Sequence, residues 1–333
     1  MSRKTGGSVN RLMAACALLL ALVLAATSPP AGAEDYPSHP IRLILPQPPG
    51  GAIDLIARTL SDRLSEQMKV PVIVENRPGA NGGLAAADVV RAAPDGYTLF
   101  VAVDTNLVVN PTLYHDLPYE PFRDFAPISI LSRTELVLVA NPKVPADTVR
   151  ELIAYAKANP GKLNYASIGL GTQAHLGMEL FKLMTGTDIT QVEYRGTAPA
   201  MTDVVAGRAD IMITGPPSAK AMSEGGKLKL LAVTGSKRHP LMPEVPTMAE
   251  AGVPGYEVTG WFGILAPAKT PKPVLDRLTA EVRSAVADRR FRDKMSNVGL
   301  EPVGNTPEEM LAQMRSDTAK WADVIKATGA KIQ

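Results

Sequence analysis

Cysteine is all but missing: Cys16 is the only one among 333 residues. It sits inside an apolar N-terminal stretch, so the rest of the chain can form no disulfide, thiol nucleophile or thiolate metal site. Histidine is scarce as well, and His39, His115, His175 and His239 lie far apart, with no H-E-x-x-H or other close metal spacing. No G-x-S-x-G elbow is present. These absences leave no catalytic residue, metal site or cofactor to name and point away from an enzyme. Neither sign of charge dominates, with 35 Lys and Arg against 33 Asp and Glu. Without a basic patch the chain is a poor nucleic-acid binder. At 45% hydrophobic and 20% charged residues, with 29 Pro and 27 Gly, the composition is globular, and the length allows two α/β domains.

The N-terminus is the one strongly apolar region. Arg3, Lys4 and Arg11 precede an uncharged run from Leu12 to Ala26, and Ala31-Gly32-Ala33 supplies small residues at the usual cleavage spacing. This reads as a secretory signal over 1–33, cleaved after Ala33, with the mature protein in the periplasm. A membrane anchor would need ~20 apolar residues, and Thr27-Ser28-Pro29-Pro30 ends the run first. Met13-Ala14-Ala15 before Cys16 does not resemble the long apolar segment expected before a lipid-attachment cysteine. Removal of the three basic residues takes the net charge from +2 to −1.

After residue 33, short β-rich runs alternate with helical patterns, the signature of parallel sheets covered by helices. Strands are expected at Ile41 to Leu45, Val70 to Val74 and Thr98 to Val103, and helices follow the first two. Ile128 to Ala140 is too long for an ordinary strand and is read as one that crosses between two lobes. The expected division is 34–135 with 240–333 as lobe 1 and 136–239 as lobe 2, the crossing strands acting as a hinge. Thr306 and Glu309 are spaced as a capping box at the last helix, whose Met310, Met314, Trp321 and Ile325 mark a packing stripe.

In open α/β sheets, ligands sit beyond the carboxyl ends of strands. Four loops there are rich in glycine or polar residues: Pro46 to Asp54, Pro78 to Gly83, Asp104 to Asn106 and Ser167 to Gln173. Glycine lets backbone N–H groups approach a ligand, and the first helical turn offers unpaired donors at the positive end of the dipole. Such loops, facing one another, grip a carboxylate without Arg or Lys. Alternatively each glycine only permits a turn. Asp54 fits two roles, helix N-cap or ligand contact; His175 and Arg195 likewise divide between structure and ligand contact.

Gly169 to Ala174 also fits the G-x-G-x-x-A fingerprint of dinucleotide binding, with Glu193 at a ribose-binding distance. Its mid-chain position and the polar strand LNYAS before it count against an exported NAD-dependent oxidoreductase.

The segments YPSHPIRLILPQPPGGAIDLIAR, NRPGANGG, APDGYTL, NPTLY, NYASIGLGTQAHLGMELFK, EYRGTAPAMTDVVAGRADIM and VPTMAEAGVPGYEV together resemble the Bug receptors, the TctC-type extracytoplasmic solute-binding proteins of tripartite tricarboxylate transporters. The resemblance spans essentially the whole chain after the signal. It implies a two-lobed type II periplasmic-binding-protein fold that closes on a small carboxylate and delivers it, as a monomer, to membrane permease subunits. Di- and tricarboxylates, acidic amino acids and aromatic acids are all within the family's range, and a sensor kinase is an alternative partner. Carried over by motif, the ligand-binding candidates are Gln47, Pro49, Gly50, Gly51 and Asp54; Asn81; Asp104 and Thr105; Gly169, Gly171, Thr172 and Gln173; and Pro217 in the loop Gly215 to Ser218. Gln47 stands where the family has an aromatic, and Asp104 where it has Gly or Ser-like residues. A carboxylate at 104 suits a ligand that carries an amine, or else points away from the pocket.

Overall fold

Alternating apolar strands and amphipathic helices build two separate sheets. The computed structural model describes residues 36–329. The described chain from His39 onward forms one compact unit that holds all the elements below. The expected signal sequence, its cleavage point and Cys16 lie outside the described residues.

The order begins β1 (Ile41–Leu45), α1 (Ala52–Met68), β2 (Val72–Asn76), α2 (Gly83–Arg91), β3 (Thr98–Val103), and three short helices, α3 (Asp104–Val108), α4 (Asn110–Leu113) and α5 (Pro121–Asp124). It continues β4 (Phe125–Glu135), β5 (Val137–Ala140), α6 (Val149–Ala158), β6 (Asn164–Ser167), α7 (Gln173–Thr185), β7 (Thr190–Glu193), α8 (Thr197–Ala206), β8 (Ile211–Thr214), α9 (Pro216–Glu224) and β9 (Lys229–Val233). The chain ends with β10 (Thr259–Pro267), α10 (Lys272–Ala287), α11 (Arg289–Ser296), β11 (Leu300–Pro302) and α12 (Pro307–Thr328). The first sheet has the order β11-β4-β10-β3-β1-β2 and the second β7-β6-β8-β5-β9. Within them β1 pairs parallel with β2 and β3, and β6 with β7 and β8. Parallel pairing aims the loops leaving these strands toward one end of each sheet, where ligands collect.

The long stretch Ile128 to Ala140 does cross, but as two strands. Leu136 separates β4, in the first sheet, from β5, in the second. The crossing is tied down by Thr234, whose buried hydroxyl accepts the Leu136 N–H at 2.9 Å and donates to the Val258 carbonyl at 2.7 Å. The return to the first sheet, expected at 240, comes at Thr259. Residues 240–258 pack on the second sheet instead, because Met242 and Val245 join the cluster of Val137, Val139 and Val233, and Tyr256 Oη donates to Gly177 O at 3.0 Å. This apolar excursion had to be covered, and the edge strand β9 was open to it, with Met248 N–H bonding Val233 O at 2.9 Å.

The last helix starts as its capping box indicated, with Thr306 and Glu309 exchanging side-chain-to-backbone bonds of 3.2 and 2.8 Å. Its Met310, Met314, Trp321 and Ile325 are all buried. α12 packs against β4 of the first sheet and α7 of the second, so it bridges the two.

Candidate ligand-binding site

After β1 the chain turns at Pro46 to Gly51, with Gly50 at φ +94° and Gln47, Pro49, Gly50 and Gly51 exposed. The N-cap of α1 is Gly51, not Asp54, and no side chain caps that helix. Asp54 lies in the first turn, where its carboxylate accepts the Gly50 N–H at 3.1 Å, Arg58 Nε at 3.0 Å and Asn76 Nδ2 at 3.2 Å. The Arg58 bond is the main reason its pKa is lowered, and its charge is consumed within the loop. Asn76 Nδ2 also donates to the Gln47 carbonyl at 2.9 Å, which fixes the turn against β2.

The second loop is held by Asn106, Asn110 and Tyr119, none of which is among the expected ligand-binding residues. Asn81, at φ +46°, presents its carbonyl to Asn106 Nδ2 at 2.8 Å and Asn110 Nδ2 at 2.9 Å, and its own amide donates to Asn110 Oδ1 at 2.9 Å. Tyr119 Oη donates to Asn106 O at 2.5 Å. Asn106 in α3 and Asn110 in α4, with Tyr119 just before α5, were the available signal. Gly82, at φ +87°, lies where a Cβ would collide with Asn106 and press on Pro46 at 3.0 Å, so this glycine lets all three first-sheet loops converge.

Asp104 opens α3 and is buried, with 1% of its surface exposed. Its carboxyl accepts the Thr105 N–H at 2.7 Å, the Gln173 side-chain amide and the Trp261 N–H. Burial, reinforced by the nearby Asp317 carboxylate, pushes its pKa up to about 8, so it is predominantly protonated and uncharged at neutral pH. Asp317 itself accepts Trp261 Nε1 at 2.8 Å and Gln313 Nε2 at 3.0 Å. Gln173 thus reaches from the start of α7 to the first sheet, and its amide lies against Gly260, where a Cβ would have no room. Thr105, beside Asp104, is half-buried.

In the second sheet, Gly169, at φ +129°, leads to Thr172, the N-cap of α7. The Thr172 hydroxyl donates to Gly169 O at 2.8 Å and accepts the His175 N–H at 3.3 Å. His175 is buried; its Nδ1 accepts the Gly171 N–H at 3.4 Å and burial lowers its pKa, so it is a neutral structural brace for the loop. Gly171 sits against Leu113 and Val109 of the first sheet's helices, with no room for a Cβ. That packing is the purpose of the glycine pattern that imitates a dinucleotide fingerprint. α8 and α9 begin at Gly196 and Gly215, neither with a side-chain cap. Pro217 is exposed in the first turn of α9 but has no N–H, so the donors there are the Ser218 N–H and hydroxyl. Just before them, the buried Thr214 hydroxyl has no partner among the described residues. Arg195 is exposed and has no ion-pair partner among them.

The candidates fall into three groups, with Pro49 in the first turn, Thr105 beside Asp104, and Gly169, Gly171 and Thr172 in the loop that leads to Gln173. Gln47, Gly50, Gly51 and Asp54 share one turn, Asn81 joins it through Gly82 and Asn106, and Asp104 meets Gln173 across the sheets. Pro217 stands on the second sheet's side without a bond to any of them.

A family model described as the tripartite tricarboxylate transporter family receptor matches residues 56–330. The chain belongs to that family. Its relatives include BugT of Bordetella pertussis, 35% identical over 327 residues that cover 98% of this chain and 100% of that protein. An R. palustris protein solved with adipate is 36% identical with a TM-score of 0.78, covering 89% of this chain and 99% of that one. MatC from Rhodopseudomonas palustris, solved with bound malate, is 31% identical with a TM-score of 0.74, covering 87% of this chain and 100% of that one. The fold is accordingly the two-lobed α/β fold of periplasmic solute-binding proteins, and the family and these neighbours are binding proteins, not enzymes.

Proposed function

We propose that this chain is a periplasmic receptor that captures a small carboxylate and hands it to the permease of a tripartite tricarboxylate transporter. The observation that carries the reading is the set of glycine-started, side-chain-free helix ends, at Gly51 in the first sheet and Gly196 and Gly215 in the second. Each offers N–H donors and a positive dipole end, which together hold an anion without a charged side chain. The adipate and malate bound by two neighbours support the ligand chemistry. The lobes are residues 39–135 with 259–329 and residues 136–258, and they rotate about Leu136, Thr234 and Val258. Ligand shifts the balance to the closed form by touching both lobes at once.

Thermal unfolding of residues 34–333, refolded to strip bound ligand, tests the reading against a panel of carboxylic acids. A specific ligand at 100 times its dissociation constant adds about 2.7 kcal/mol and raises the midpoint by several degrees. No shift with any carboxylate contradicts it.

A further inference from the structure

The second sheet's side also touches the first at the edge away from the ligand loops. In the first sheet those loops follow β1, β2 and β3 toward one edge, while β11, next to β4, forms the other. There a cavity of about 360 Å³ lies between Arg133 and Glu135 of β4, Glu301 of β11 and Arg292 of α11 on one side, and the segment from Lys237 to Leu241 that follows β9 on the other. Buried His239 fixes its wall. Nδ1 accepts the Leu241 N–H at 3.1 Å, so Nε2 carries the proton and donates to Gly299 O at 3.3 Å. Burial lowers the His239 pKa, so the ring stays neutral and adds no charge. Gly299, at φ +76°, lets the two sides approach, because a Cβ there would press on Leu241 at 3.3 Å and on His239 at 3.4 Å.

The charges around this cavity do not cancel. Four cations line it, Arg133, Lys237, Arg238 and Arg292, against two carboxylates, Glu135 and Glu301. Arg238 is matched by Glu250 at 2.9 Å. Arg133, Lys237 and Arg292 have no ion-pair partner among the described residues, although Arg133 stands opposite Glu301 in the β4–β11 ladder. Glu135 opposes them only in part. Its half-buried side chain lies against Gly235, where a Cβ would have no room. Burial first, and the Glu301 and Glu257 carboxylates next, push its pKa up to about 7 against the pull of Lys237. A concave surface with cations in excess concentrates anions, and guanidinium forks match the geometry of an oxyanion. The exposed Ser296 hydroxyl adds a neutral donor.

We propose that this cavity is a second binding site, separate from the carboxylate cleft, that takes a free, doubly charged oxyanion of the sulfate or phosphate type through Arg133, Lys237 and Arg292. The space holds such an ion together with several waters. Its cations come from both sides of the crossing strands, so an occupant ties the two sides together at the edge away from the ligand loops. The charged groups around Glu135 are Arg133, Lys237, Arg238, Arg292, Glu257 and Glu301. An arriving anion adds negative charge beside Glu135 and raises its pKa further, so binding takes up a proton and strengthens as pH falls through about 7.

Sulfate, whose own charge does not change near neutrality, is titrated into the isotope-labelled protein while sodium chloride is lowered in step to hold the ionic strength constant. The N–H signals of Lys237, Ser296 and Gly299 are expected to move and saturate together. Lys237→Gln, at an exposed position whose loss leaves the fold intact, should weaken that binding about tenfold. Glu135→Gln should remove its dependence on pH and keep it tight at about pH 8. Signals that do not saturate, an affinity that Lys237→Gln leaves unchanged, or a wild-type affinity indifferent to pH overturns the proposal.

Discussion

Two sets of helices in this protein start differently and occupy different places. α6, α11 and α12 are capped by the side chains of Thr148, Asp288 and Thr306, while α1, α2, α8 and α9 begin at Gly51, Gly82, Gly196 and Gly215 with no side-chain cap. The uncapped four each follow a strand of a parallel pair, whereas the capped three follow strands or helices outside those pairs. A side-chain cap typically contributes about 1 kcal/mol to a helix relative to Ala. Forgoing it at the ends proposed to hold the ligand keeps backbone donors open, and α7, which does carry a Thr172 cap, instead sends Gln173 across to Asp104. The lesson is that a glycine start, not the lack of a cap alone, marks the loops beyond the parallel strands, since α10 is also uncapped, at Pro271, outside those pairs.

The comparison breaks most sharply at Gly82. Gly82→Ala puts a Cβ into Asn106 at a positive φ and is expected to cost about 3 kcal/mol, read as a lower urea midpoint, with carboxylate binding lost as the three loops separate. Thr306→Ala removes a scaffold cap and should cost about 1 kcal/mol, again read in urea, without altering ligand affinity. Gly51→Ser is its mirror image. The backbone there is at φ −86° and a Cβ meets nothing nearer than Gln47 Oε1 at 3.8 Å, so the serine fits and caps α1. Stability should rise by a few tenths of a kcal/mol, while carboxylate affinity falls about tenfold in titration because the new hydroxyl competes for the same N–H groups.

Asp104 sharpens the comparison through pH. Below about 3.8 the carboxyl is protonated in both the folded and the unfolded chain. As pH rises, the unfolded chain ionises while the folded protein keeps its proton, so stability drains away until the loss is complete once pH passes about 8. Asp104→Asn removes this drain. Its thermal midpoint, compared with that of the wild type, should gain progressively from pH 4 to 8 and hold a constant offset above.

Much of this architecture was legible in the sequence. The alternation of strands and helices, the crossing near residues 128–140, the capping box at Thr306 and the buried stripe of α12 all arise from local period and local chemistry, which a linear reading captures. The break at Leu136 was not legible, because a hydroxyl 98 positions later, on Thr234, fixes it. Nor was the packing of residues 240–258 on β9, where Pro and Gly suggested only a connection. In the site, the glycine loops were visible as composition, but the roles of Asp54 and Asp104 depended on partners distant in sequence, among them Asn76, Gln173 and Trp261. Asn106, Asn110, Tyr119 and Thr214 lie in segments whose residue types alone do not distinguish a brace from a ligand contact.

The central claim is that glycine-started helix ends hold the ligand through their backbone, and amide chemical shifts of the labelled protein during a carboxylate titration test it most directly. The account predicts that the N–H signals of Gly51, Ala52, Thr197 and Ser218 move together and saturate together, while those of Glu151 and Glu309, already bonded to Thr148 and Thr306, stay in place. Binding that leaves the glycine-started ends unmoved and shifts side-chain signals alone would contradict it.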